Sequence, residues 1–256
     1  MSGKLIRLNR LIKPHRPLLS VPMDHGLTIG PVSGLTDMGR IVSQVAAGGA
    51  DAVIIHKGLA RQISQHLPET CHLIVHLSAS TQLAPDSTHK ELIASVEEAV
   101  RLGATAVSVH VNLGSASESQ MLKDMGFVAE QCDRWGIPLL AMMYVRDGKK
   151  ENEYNPTKIA HAARVAEEIG ADIIKINYTG DPDSFRMITK AVQPPVVIAG
   201  GPKIDSNERL LSMIQDAMQA GARGVAIGRN IFQDPAPQQL TAHIRSILDQ
   251  PGRFLH

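Results

Sequence analysis

"GGADAVII" at residues 48–55, "LGATAVSV" at 102–109, "IGADIIKI" at 169–176 and "AGARGVAI" at 220–227 are one phrase written four times. In each, a helical pattern closes on Gly, the chain turns through Ala and a polar or charged residue, and an apolar run follows. Glycine ends a helix because it enters the left-handed region without the steric cost of a Cβ. A short, continuous apolar run directly after it is a strand buried on both faces, as in a parallel sheet.

Working outward, four more apolar runs lie between these phrases: "RPLLSVPM" (16–23), "HLIVHLS" (72–78), "IPLLAMMYV" (137–145) and "PPVVIAGG" (194–201). Interleaved, they give eight strands. The intervening stretches, such as "SVEEAVRLG" (95–103) and "IAHAARVAEEIG" (159–170), have helical periodicity. No linker or low-complexity segment interrupts the alternation, which predicts a single-domain (β/α)8 TIM barrel over residues 1–256. An open doubly wound sheet is the competing arrangement, but it more often carries a glycine-rich dinucleotide fingerprint after its first strand, and none is present here.

The composition fits that size. Of 256 residues, 43% are hydrophobic and 20% charged, with 26 basic against 25 acidic side chains. A net charge of +1 leaves no basic footprint for nucleic acid or an anionic membrane. No run approaches the ~18 apolar residues that cross a bilayer. Cys71 and Cys132 stand far apart. They suggest reduced thiols in a cytoplasmic protein rather than a disulfide framework or a zinc knot. The basic, amphipathic "KLIRLNRLIKPHRP" (4–17) resembles a transit peptide in composition. Because the first strand follows at once, residues 1–15 are read as an extension capping one end of the barrel.

Catalytic groups of such a barrel lie at the C-terminal ends of its strands. Those ends carry Asp24 and His25, His56, His76, His110 and Asn112, Tyr144, then Lys175 and Asn177. Strands 7 and 8 finish in "AGGPK" and "IGRN". There Gly200, Gly201 and Gly228 let backbone N–H groups approach an anion, with Lys203 and Arg229 nearby, which is the usual place for a phosphate. Lys175 is out of place in an apolar strand unless it has a chemical task. A buried lysine that sheds its proton can attack a carbonyl, and the resulting iminium is an electron sink for making or breaking a C–C bond. Strand alternation then puts Ile173 and Asn177 inward with Lys175, and Ile174, Ile176 and Tyr178 toward the helices. Tyr144 has the chemistry of a general acid–base. Asp24 is either a proton shuttle or only the counter-ion of Lys175. A metal-assisted lyase would draw instead on His25, His56, His76 and His110. Nothing near them reads as a helical HExxH pair, so no metal and no cofactor are expected.

"VPMDHGLTIGP", "HKG", "HVNLGS", "AMMY", "DIIKINYTGD", "AGGPK" and "VAIGRNIFQ" together resemble the class I aldolases of the archaeal and bacterial DeoC/FbaB type. The likeness runs in the family's order from about residue 4 to 233. It implies that Lys175 is the Schiff-base lysine, Tyr144 the catalytic tyrosine and Asp24 the catalytic aspartate. The phosphate site falls on Gly200, Gly201, Gly228 and Arg229; apart from the resemblance, His25 beside Asp24 and Lys203 beside the glycines are further candidate substrate-binding residues. Met23 stands where the fructose-bisphosphate aldolases tend to have an aromatic. "IVHLSAS", "APD" and "SVHVNLGS" look more like the branch that uses aspartate semialdehyde, including the 2-amino-3,7-dideoxy-D-threo-hept-6-ulosonate synthases. The resemblance therefore implies a phosphorylated ketone donor, an aldehyde acceptor and a homo-oligomer, a decamer in several members.

Overall fold

The computed structural model describes residues 2–250. Eight strands run parallel around a closed barrel: β1 (Leu18–Pro22), β2 (Ala52–His56), β3 (His72–His76), β4 (Ala106–Leu113), β5 (Leu139–Val145), β6 (Ile173–Asn177), β7 (Val196–Ala199) and β8 (Gly224–Ala226). Pairing proceeds in chain order, and β8 closes on β1 through Leu18–Gly224, Leu19–Val225 and Ser20–Ala226. All eight predicted strands are present, and the fold is the expected single (β/α)8 barrel.

The repeated phrase forms the same joint four times. Gly49, Gly103, Gly170 and Gly221 all have positive φ, between +82° and +105°. At each joint the alanine that follows donates its N–H to the carbonyl five residues back, at 3.0 Å: Ala50 to Val45, Ala104 to Ala99, Ala171 to Ala166 and Ala222 to Ala217. This is the 6→1 bond of a Schellman motif, which satisfies a helix carbonyl that would otherwise lack a partner. The four alanines are buried. The acidic residue next in line also has work to do. Asp51 Oδ2 accepts from the Leu19 N–H at 2.9 Å, and Asp172 Oδ2 accepts from the Leu139 N–H at 2.8 Å, each tying one joint to the neighbouring strand.

Side chains divide by strand alternation. Leu140, Met142 and Tyr144 of β5 and Ile173 of β6 belong to the cluster inside the barrel. Ile174, Ile176 and Tyr178 pack outward with the helices. The helix α1 (Ser2–Leu11) lies across the N-terminal ends of the strands. Its Leu11 is buried in the inner cluster, with Leu8 and Ile12 packed beside it. Lys4 pairs with Asp172 at 2.9 Å, and Arg7 donates to the Gly136 carbonyl at 2.7 Å. Part of the composition of 4–17 thus has a packing explanation: Leu8, Leu11 and Ile12 fill the floor and Lys4 and Arg7 bind the αβ turns, while Leu5 and Ile6 stay exposed. No helix among the described residues is long and apolar enough to cross a membrane. One feature was not predicted. After β3 the chain makes a small antiparallel pair, Ser78–Ala79 with Glu91–Leu92, before α2 (Val96–Arg101) begins.

Asp51 also anchors the start of the barrel to its end. It is buried and pairs with Arg16 Nε at 3.0 Å and with Arg245 Nη1 at 2.9 Å, the latter from the last helix, α3 (Pro237–Leu248). Removing one partner of a buried pair leaves the other charge uncompensated, at a cost of about 3–5 kcal/mol. Asp51→Ala should therefore lower Tm by roughly 6–20 °C for a domain of this size. Arg245→Met, which leaves Asp51 paired with Arg16, should cost less in the same thermal scan.

Candidate active site

The C-terminal ends of the strands surround a cavity of about 430 Å³ with Lys175 in its lining. Lys175 is 6% exposed and sits in register with Met142 of β5 and Val197 of β7. Its Nζ donates to the Met142 sulfur at 3.7 Å, and it makes no ion pair among the described residues. Asp24 is thus not the salt-bridge partner that one sequence reading offered. Its nitrogen faces the cavity with no anion in contact among the described residues.

Asp24 follows β1 and precedes the short helix His25–Ile29. Its carboxylate stands 3.6 Å from His25 Nδ1 and 3.7 Å from His76 Nε2. Burial alone would raise its pKa, but attraction to Lys175 and to His76, His25 and His56, which carry a proton in the acid range where the carboxyl itself titrates, outweighs this and holds it well below the usual range. The imidazoles shift the other way. Burial pushes His76 down to about 3 against the pull of Asp24, and burial likewise lowers His25 and His56 and drives His110 well below its ordinary value. At neutral pH the four histidines are uncharged and Asp24 is ionised. The positive charge left for Asp24 to stabilise is that of Lys175, or of an iminium formed from it.

Three of the four imidazoles are also fixed by a hydrogen bond: His56 Nδ1 to the His76 carbonyl at 3.2 Å, His76 Nδ1 to Ser108 Oγ at 2.9 Å, and His110 Nε2 to Asn112 Oδ1 at 2.8 Å. His25 Nδ1 is buried without a hydrogen-bond partner among the described residues. Among the described residues no three His, Cys, Asp or Glu side chains form a group that could hold a metal ion. Tyr144 points inward from β5. The His110 ring is 4.8 Å from its ring, and the Arg146 guanidinium lies 5.4 Å over it. The phenol is thereby held between a neutral ring and a cation, directed at the cavity.

On the far side, Gly200, Gly201, Gly228 and Arg229 line the same cavity. Arg229 Nε is buried without a hydrogen-bond partner, a cationic donor awaiting an acceptor. Gly201 adopts φ +65°, and a Cβ on Gly228 would stand 2.5 Å from the Pro22 carbonyl oxygen, so neither position accepts a larger residue without movement. Asn230, missed by the sequence reading, braces this rim. It donates to the Gly200 and Pro202 carbonyls and accepts from the Ile204 N–H at 2.7 Å. Lys203 does not join the site. It is absent from the cavity lining, and its exposed ammonium donates to the Gln233 carbonyl at 2.5 Å. Adjacency in sequence to the glycines misled there, because the chain turns away after Pro202. Lys90, Arg146, Glu153 and Tyr154 line the cavity and were also not foreseen. Of these, only Arg146 had a signal, two residues beyond Tyr144 on the same strand face.

Residues 18–234 match the DeoC/LacD family aldolase. A 2-amino-4,5-dihydroxy-6-oxo-7-(phosphonooxy)heptanoate synthase of Streptomyces griseus is 44% identical over 252 residues, covering 98% of this chain and 92% of the relative. A 2-amino-3,7-dideoxy-D-threo-hept-6-ulosonate synthase of Halobacterium salinarum is 44% identical over 247 residues, covering 96% and 92%. Among solved structures, an archaeal fructose-1,6-bisphosphate aldolase with its catalytic lysine covalently bound to the carbinolamine intermediate superposes with a TM-score of 0.89. It is 30% identical, over 96% of this chain and 100% of that one.

The buried imidazoles make stability depend on pH. A histidine whose folded pKa lies below its ordinary 6.5 takes up its proton more readily in the unfolded chain. Stability is therefore full above pH 6.5 and falls as pH drops from 6.5 toward 3, the window for His76. Asp24, shifted down, adds its own loss as pH falls through its unfolded value of 3.8 and below. Tm measured from pH 7 to 4 should fall, and His76→Gln should flatten that fall.

Proposed function

Because the chain belongs to the DeoC/LacD aldolase family, we propose that it joins a phosphorylated ketone donor to L-aspartate semialdehyde through an enamine on Lys175. The observation that carries this reading is a buried lysine with no ion pair among the described residues, facing a cavity whose far rim holds two glycine turns and an arginine whose Nε has no hydrogen-bond partner among them. The acceptor is inferred from the Streptomyces relative's product. Retro-aldol cleavage between C4 and C5 of 2-amino-4,5-dihydroxy-6-oxo-7-(phosphonooxy)heptanoate gives dihydroxyacetone phosphate and aspartate semialdehyde.

The donor's phosphate binds Arg229 and the backbone N–H groups of the Gly200–Gly201 and Gly228 turns, which fixes the ketone over Lys175. Lys175 Nζ adds as the free amine to the carbonyl carbon, one of its protons passes to the oxygen, and Tyr144 supplies the second proton with which that oxygen leaves as water. The iminium draws electrons from the neighbouring C–H bond, the Tyr144 phenolate left by the dehydration takes up that proton, and the enamine forms with the phenol restored. Its carbon attacks the acceptor aldehyde, whose oxygen takes a proton from Tyr144. Addition of water then releases the product and restores the amine. Asp24 stays ionised and stabilises each cationic intermediate, with neutral imidazoles around it.

Borohydride added with dihydroxyacetone phosphate should inactivate the enzyme irreversibly and add the reduced donor's mass to the peptide carrying Lys175. Lys175→Met should abolish turnover and labelling while the barrel still folds, since Met matches the stem and removes a buried charge. EDTA-sensitive activity without a trapped adduct would transfer the chemistry to the rim histidines. A fructose-1,6-bisphosphate aldolase is the alternative within the family. Turnover of glyceraldehyde 3-phosphate but not aspartate semialdehyde would establish it.

Tyr144→Phe keeps the tilted ring contact with His110 and removes only the hydroxyl. It should slow kcat by about 10²–10⁴-fold, the range for a general acid–base group. A near-normal kcat would reduce Tyr144 to a packing residue.

A further inference from the structure

The cavity has a second charged end that the donor does not use. Lys90, from the antiparallel excursion after β3, lines it and is only 9% exposed. It makes no ion pair among the described residues, and its Nζ donates to Ser80 Oγ at 2.5 Å. A buried cation without an anion is costly unless a ligand supplies one. Beside it Arg146 and Glu153 form an ion pair, each partly exposed to the cavity. Burial holds the pKa of Lys90 below its ordinary value, Asp24 attracts its charge from outside contact distance, and the Arg146 guanidinium repels it.

Both loops are stitched to strand ends and so hold their charges in place. Asn112 Nδ2 donates to the Thr88 carbonyl at 2.6 Å, two residues before Lys90. Asn177 Nδ2, two residues after Lys175, donates to the Glu153 carbonyl at 3.1 Å. In the closed order, β3 stands four strands from β7, directly across the barrel from the glycine turn that ends β7. A substrate anchored by its phosphate at Arg229 and bonded at Lys175 therefore extends its other end toward Lys90, Arg146 and Glu153.

We propose that this end is an amino-acid subsite, in which Lys90 and Arg146 hold the α-carboxylate of the acceptor and Glu153 its α-ammonium. The inference rests on the preceding reading and specifies how its acceptor is recognised. Two cations and one anion match a zwitterion sign for sign. A second phosphate dianion would meet the same two cations but bring no ammonium to offset its repulsion by Glu153. Glu153 thus discriminates against a sugar-phosphate acceptor, and Lys90 supplies the extra positive charge that a carboxylate needs.

Two truncated acceptors separate the contacts: succinic semialdehyde lacks the amine of aspartate semialdehyde, and 3-aminopropanal lacks its carboxylate. With dihydroxyacetone phosphate as donor, kcat/KM is measured for all three acceptors in the wild type, Glu153→Gln and Lys90→Met. Glu153→Gln should lose about 10–100-fold on the two amines, the range for a charge-assisted hydrogen bond, and far less on succinic semialdehyde. Lys90→Met should show the converse, losing on the two carboxylates and sparing 3-aminopropanal. Borohydride trapping of the donor alone reports that the lysine site is assembled. Where a variant fails to trap, Glu153→Asp or Lys90→Arg takes its place, and a wild-type order of acceptors supports the subsite. Equal losses on all three acceptors overturn the subsite while leaving the aspartate-semialdehyde reading intact. A wild type that turns over glyceraldehyde 3-phosphate but not aspartate semialdehyde overturns both.

Discussion

The amine of Lys175 rests against a thioether instead of a carboxylate, and the rest of the site is arranged around that contact. A carboxylate in direct contact would hold the lysine as a protonated ion pair and occupy the path by which a carbonyl approaches. A methionine fills the same space, accepts one weak hydrogen bond and leaves the nitrogen available. The neutralising charge still has to come from somewhere, and Asp24 supplies it from outside contact distance. Such an arrangement favours a cation wherever it forms around the lysine, ammonium or iminium, without fixing it on one atom. That is the requirement of a reaction whose positive charge is created and dissolved in each cycle.

The barrel makes this placement possible because alternation and closure act together. Alternation puts residues 173, 175 and 177 on the inner face of β6, and closure surrounds the first of them with aliphatic side chains. Ile173 is sealed in, Lys175 stands at the boundary, and Asn177 reaches the loops, so three successive inward positions pass from core to chemistry to scaffold. The floor must be dry for this gradient to exist, and α1 contributes by placing Leu8, Leu11 and Ile12 against the inner cluster.

What the sequence made legible follows from which signals are local. The Gly–Ala–polar phrase is a backbone device: its glycine has positive φ and its alanine N–H closes the helix, both set by neighbouring residues, so four strands and their helices could be read directly. Lys175 was legible because a charge in a β-branched run violates an expectation. Lys90 violates none, since it lies in a polar stretch that resembles any surface loop, and only the pairing of 78–79 with 91–92 carries it inside. Glu153 and Tyr154 belong to a short 3-10 turn with no periodicity to mark it. Lys203 shows the opposite error: its neighbours in sequence belong to the site, and its side chain points to Gln233. Asn230 binds three backbone groups that are distant in sequence, a role visible only in three dimensions.

The four neutral histidines belong to the same electrostatic scheme. Had His25, His56 and His76 been charged, Asp24 would be saturated by fixed cations and would contribute little to an iminium. Burial prevents this by lowering their pKa values, and each of His56, His76 and His110 is then held by a hydrogen bond that a neutral ring can make. They fill the rim with polar, oriented groups that add no charge of their own. The penalty appears as acid sensitivity, because protons returning to these rings favour the unfolded chain. Permanent charge is thereby reserved for the two ends of the cavity, where Arg229 on one side and Lys90, Arg146 and Glu153 on the other face the cavity that the substrate occupies. Between them the lysine works in a region whose net charge is set by Asp24 and by the intermediate itself.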